Sequence, residues 1–132
     1  MASTNENWNR AVELLGLKDK TFFGGVEHCG FTVAQLSELI TLGLSKPEHR
    51  FNWSPTVETF LEAGKKAEAA GAAVSFIGFL ESNGRPDARV TITGIEITNV
   101  PDSASLIMDF AQIFHKADEF TTSAEILRAW FD

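Results

Sequence analysis

The sequence predicts an α+β domain: an antiparallel sheet of two or three strands, centred on a hairpin over residues 72–99, packed against about five helices. Two strand-like runs, 72–82 and 89–99, face each other across Asn83-Gly84, a dipeptide that adopts positive φ at low cost. The segments around them carry apolar residues at helical spacing, several behind capping signatures. With 132 residues, 44% of them apolar, the chain has the length and core content of a single domain spanning 1–132.

β-Branched and aromatic residues dominate both runs of the hairpin, as a pleated, packed surface favours. Pro86-Asp87 extends the turn into a six-residue loop, 83–88. In the second run Val90 and Ile92 share one side, but past Gly94 the phase slips and Ile95 and Ile97 carry the apolar side. A bulge at Thr93-Gly94 restores all four to one face, because one inserted residue shifts a period of two. The first run is apolar on both sides, with Val74, Phe76 and Leu80 on one and Ile77 and Phe79 on the other. Such a strand needs cover from helices or from another subunit.

Ser3-Thr4-Asn5-Glu6 has the capping-box form, and Trp8, Ala11, Val12 and Leu15 follow at helical spacing, so a first helix is expected at about 4–15. Phe22, Phe23 and Val26 suggest a short strand near 22–27, which makes the third strand of the sheet if it pairs with the hairpin. Thr32-Val33-Ala34-Gln35 repeats the capping pattern before a helix at about 33–44. Ser54-Pro55 reads as a cap with proline in the first turn, opening a helix that Gly71 ends. Within it Glu62 and Lys66 form a favourable i,i+4 pair. Pro101-Asp102-Ser103 starts a fourth helix, with Leu106, Ile107, Phe110, Ile113 and Phe114 as its apolar stripe. Thr122-Ser123-Ala124-Glu125 is a third capping box, and Ile126, Leu127, Trp130 and Phe131 complete a fifth helix.

Composition excludes several classes of function. The net charge is −7; residues 67–132 hold ten acids against four bases and so carry −6 of it. That balance argues against general nucleic-acid binding, which needs basic residues to neutralise phosphates. One cysteine, Cys29, excludes an internal disulfide framework and a four-cysteine zinc site. The first residues show neither the basic nor the apolar segment of a signal peptide, and no apolar run reaches the ~20 residues of a membrane helix. The cytoplasm is the expected compartment.

No motif of covalent chemistry is complete. Gly25 to Thr32 nearly fits a phosphate loop, but Phe31 stands where the lysine must meet the phosphate. Cys29 lies beside His28, and a nucleophilic cysteine needs a base within reach, from His28 or His49. The plainer reading is a small packing residue. His28, Cys29, His49 and His115 lack metal-ligand spacing, so neither metal nor cofactor is expected. Lys46, His49, Arg50, Phe51 and Trp53 form a basic-aromatic patch suited to an acidic ligand, against which stands Trp53 as a hydrophobic staple on the following helix.

These features predict a small acidic binding protein without catalytic activity, an inhibitor, immunity-type or regulatory partner. Its acidic second half suits a protein partner with a basic surface. The expected binding residues are Arg85 and Arg89 at the hairpin loop, Asp109, Asp118 and Glu119 among the acids, and Trp130 in the apolar C-terminal turn. Two alternatives stay open: a small enzyme using Cys29 with His28 or His49, and a homodimer built on strand 72–82 that encloses a small molecule. No nucleic acid or membrane partner is expected.

Overall fold

The computed structural model describes residues 9–10, 13–14, 25–81, 89–101, 104–123 and 125–131, without the side chains of 25–29, 81 and 89. In chain order the elements are β1 (Gly25–Phe31), α1 (Val33–Thr41), α2 (Val57–Ala69), β2 (Ala73–Glu81), β3 (Arg89–Thr98), α3 (Ala104–Phe114), β4 (Glu119–Thr122) and β5 (Ile126–Trp130). They form one five-stranded sheet in the order β1-β2-β3-β5-β4, with every pairing antiparallel. This corrects the expectation of two or three strands and about five helices: the sheet has five strands, and three helices are delimited among the described residues. Residues 9–10 and 13–14 are helical as well, within the expected first helix, most of which lies outside the described residues.

The larger correction is the C-terminus, where the fifth helix is instead the β4–β5 hairpin. Leu127, Ala129 and Phe131 are buried while Ile126, Arg128 and Trp130 are half-buried, which is the period of two of a strand. The supposed capping box makes the connecting turn: Ser123 Oγ accepts from the backbone N–H groups of Glu125 and Ile126 at 3.3 and 3.1 Å. A serine that satisfies nearby N–H groups serves a turn as readily as a helix start.

The hairpin over 72–99 is formed by β2 and β3; its loop 83–88 lies outside the described residues. Ile77 pairs with Gly94 and Gly78 with Ile92, so Thr93 is the extra residue of a bulge. The bulge places Val90, Ile92, Ile95 and Ile97 together in the core, each no more than 3% exposed. Two glycines flank it. A Cβ at Gly78 would collide with the Thr91 carbonyl oxygen, and one at Gly94 would sit 2.6 Å from that of Ala129. The third strand is β1, at 25–31; it takes in 25–27 of the expected strand, 22–24 lying outside the described residues, and the near-phosphate-loop pattern is strand backbone paired with β2.

All three helices lie on one face of the sheet. Their buried residues, Leu36 and Leu39 of α1, Phe60 and Ala67 of α2, Phe110 and Phe114 of α3, join Phe76, Leu80, Leu127 and Phe131 in one cluster. Phe60 is the hub, with its ring centroid 5.2 Å from Phe114 and 6.2 Å from Phe131. The two favoured caps behave differently. Thr32 forms the expected capping box with Gln35, whereas the cap of α2 is Thr56, not Ser54. Ser54 is buried in the preceding turn, where its Oγ accepts from Phe51 N–H at 2.9 Å. Lys66 does not pair with Glu62: its Nζ reaches Asp109 on α3 at 3.2 Å.

On the face opposite these three helices Ile77, Gly94 and Trp130 form one row across β2, β3 and β5. Ile77 is 2% exposed although outside the core cluster, and Phe79 meets Phe51 edge-on at 5.6 Å. The doubly apolar strand is thus covered in part from within the chain. No helix among the described residues is long and apolar enough to cross a membrane.

Two substitutions test this packing. Gly78→Ala should destabilise the protein by about 1–3 kcal/mol, the usual range for forcing atoms into a filled core, and urea unfolding measures it. Phe131→Ala should cost about 3–5 kcal/mol, as for other buried phenylalanines; an unchanged urea midpoint would mean that the C-terminal strand does not dock as described.

Candidate functional site

The segment between α1 and α2 is fastened at both ends. Val90 N–H donates to Leu44 O at 2.8 Å, and the Ser45 hydroxyl donates to Val90 O at 2.9 Å, which satisfies the part of β3 that extends beyond its pairing with β5. At the other end Val57 N–H donates to His49 O and Glu58 N–H to Pro47 O, at 3.0 and 2.9 Å. Between these anchors Phe51 to Ser54 closes a tight turn, with Ser54 N–H donating to Phe51 O at 2.9 Å. Asn52 takes positive φ at its tip (52°), a conformation asparagine tolerates. The turn directs Phe51 inward, against the core and Phe79, and leaves Trp53 77% exposed. Trp53 is therefore not a staple on α2.

Trp53 borders a cleft of about 360 Å³ together with Arg50, Ile113, His115, Lys116 and Phe131. Thr56 and Thr59 of α2's first turn complete one wall. The floor is apolar, since Phe131 is buried and Ile113 is 37% exposed. The ionisable groups lining the cleft, among the described residues, are Arg50, His115 and Lys116, with no carboxylate. Arg50, His115 and Lys116 are all exposed, so the Arg50 and Lys116 charges act in a high-dielectric setting. Thr59 and Ile113 also line a second groove of about 560 Å³ between α2 and α3, which continues past Glu58, Glu62 and Lys65.

The basic-aromatic patch of the sequence thus contributes Arg50 and Trp53, while Lys46, His49 and Phe51 are not among the residues lining the cleft. His115 and Lys116 were missed as site residues. Basic residues just past a helix ordinarily complement its dipole, and that role leaves no separate mark in the sequence.

Of the expected binding residues, Asp118, Glu119 and Trp130 come together at the β4–β5 edge, and Asp109 stands apart from them on α3. Arg85 lies outside the described residues, and Arg89 pairs in register with Glu81, its side chain undescribed. Asp109 is bound to Lys66 in the helical layer, and Glu119 accepts from Arg128 Nη1 at 2.6 Å at the sheet edge. Arg128 also lies 3.6 Å from Glu96, so one guanidinium links β3, β4 and β5. Asp118 is exposed just before β4. Trp130 is brought opposite Glu119 on one side and Gly94 on the other.

Cys29 and His28 occupy β1 opposite Ile77 and Gly78, but their side chains lie outside the described residues. His49 belongs to the loop tied to β3 and α2, and β2 lies between β1 and β3 in the sheet. Among the described residues no three His, Cys, Asp or Glu side chains gather closely enough to hold a metal ion. No family model, curated protein or solved structure matches this chain.

Since Trp53 makes so little contact with the fold, Trp53→Ala should change stability by no more than about 0.5 kcal/mol, as for other surface positions. Urea unfolding decides the matter: a loss well above that value would restore the staple.

Proposed function

We propose that this protein is a non-catalytic binding domain that recognises a protein partner through the basic cleft beside Trp53. The observation that carries this reading is an indole left 77% exposed at the mouth of a cleft whose described ionisable lining is entirely basic. A solvent-exposed tryptophan offers a large, rigid contact area at little entropic cost, and tryptophan and arginine dominate the energetic centres of protein interfaces. A site for a small molecule encloses most of its ligand, whereas here the largest side chain stands outside the wall.

The acidic excess has a different part in this reading. Asp109 and Glu119 are engaged by Lys66 and Arg128, so these carboxylates act chiefly within the chain. The remaining negative charge supports dispersal in solution and long-range steering. A cytoplasmic setting goes with a chain whose one cysteine forms no internal disulfide.

The test compares immobilised wild type, Trp53→Ala, Arg50→Ala and Met108→Ala in cell extract. Met108 is 70% exposed on α3 and does not line the cleft, so it controls for surface apolarity. A protein retained by wild type and Met108→Ala should be lost by about tenfold or more with Trp53→Ala or Arg50→Ala, the effect of truncating an interface anchor. Equal retention by all four would remove the cleft from the interface.

A further inference from the structure

The cleft's chemistry goes further than its existence, and we propose, resting on the binding reading above, that its occupant is an acidic polypeptide segment of the partner. Aspartate or glutamate carboxylates of that segment meet Arg50 and Lys116, and a neighbouring apolar side chain lies on Trp53 and Ile113.

Charge is the first reason. The chain holds 18 acids against 11 lysines and arginines, yet the described lining of this cleft has no carboxylate. Arginine presents a planar fork that matches a carboxylate in two parallel hydrogen bonds, and lysine adds a compact charge beside it.

The second reason is what the cleft does not offer. The first turn of α2 faces it, but the N–H groups there are already used: Val57 by His49 O, Glu58 by Pro47 O, and Thr59 by Thr56 Oγ1 at 3.2 Å. The two threonine hydroxyls lie 3.0 Å apart and are hydrogen-bonded to each other. A small free anion would therefore find no ring of unused backbone donors of the kind that holds phosphate. Recognition falls to separated side-chain charges and an apolar surface, which suits a segment carrying both features.

The groove beyond Thr59 and Ile113 orients that segment. From Thr59 to Lys66 the helix advances about 10 Å at 1.5 Å per residue, enough for about three residues of extended chain. Glu58 and Glu62 line this stretch beside Lys65 and Lys66, so its charges balance, and the excess of positive charge lies at the Trp53 end. A polynucleotide strand would set a phosphate at every step along a groove with no positive excess, in a protein of net charge −7.

The experiment is fluorescence anisotropy with three labelled probes: a hexapeptide alternating Asp and Phe, its counterpart with Lys for Asp, and an eight-nucleotide oligothymidylate. The acidic peptide should bind at least about tenfold more tightly than the lysine peptide, and Arg50→Glu or Lys116→Glu should each weaken it by about tenfold or more, as for a charge reversed at a contact. Both positions are exposed, and circular dichroism checks that the variants fold. Equal or tighter binding of the lysine peptide or the oligothymidylate, indifference to both reversals, or no binding of the acidic peptide would overturn the acidic segment. The two readings fail separately. If extract capture still depends on Trp53 while the acidic peptide has no preference, the cleft stands and its occupant is not acidic; if capture ignores Trp53, the cleft itself is wrong.

Discussion

One extra residue in β3 holds the molecule together. Thr93 bulges between Ile92, opposite Gly78, and Gly94, opposite Ile77. Without it, Val90 and Ile92 would point away from the face shared by Ile95 and Ile97, because a shift of one residue exchanges the two sides of a strand. A fully buried aliphatic side chain is worth about 1.5–3 kcal/mol, so turning two of them outward would remove stabilisation on the scale of a small domain's whole net stability. The bulge also crowds its neighbours, and the sequence supplies glycine where a Cβ would collide with the Thr91 or Ala129 carbonyl oxygen.

The same residue reaches the C-terminus. Phe131 N–H donates to Thr93 O at 2.8 Å, which brings Phe131 past the end of β5 and into contact with Phe60. Phe131 in turn forms part of the cleft floor. The loop that carries Arg50 and Trp53 is tied to the same strand through Val90, three residues before the bulge. Helix α3 brings Ile113, His115 and Lys116 to the site because Phe114 packs on Phe60. Two walls of the cleft are thus bonded to β3, and the third, on α3, is held by Phe114 against Phe60, Phe110 against Phe120 and the Lys66–Asp109 pair. The site rests on rigid elements although its most exposed residue stands on a turn.

How much of this was legible followed from how each signal is made. The hairpin and its bulge could be read because β-branched residues alternate and then slip phase at Gly94, and no helical period reproduces that slip. The C-terminal strand could not. Ile126, Leu127, Trp130 and Phe131 fall at helical spacing, and Ala129, the buried residue that marks the alternation, is too small to weigh in a hydrophobic pattern. The serine at 123 compounded the error, since a turn and a helix cap use its hydroxyl in the same way. Arg50 and Trp53 were visible as a patch, but whether Trp53 packs or projects depends on the Phe51–Ser54 turn, whose direction is set by bonds to β3 and α2. His115 and Lys116 join them only through the packing of α3, a tertiary event with no local trace.

An acidic protein with a basic cleft separates two ranges of electrostatics. Charges more than a Debye length apart, about 8 Å at physiological ionic strength, are largely screened. The net −7 therefore bears on a partner's approach only weakly at that ionic strength, and more strongly at low salt. On the proposed binding, Arg50 and Lys116 are the charges nearest the occupant, and their attraction strengthens only where that occupant excludes water. On the same binding, a partner acidic throughout associates more slowly at low salt, while one that confines its carboxylates to a short segment loses little on approach and gains at contact.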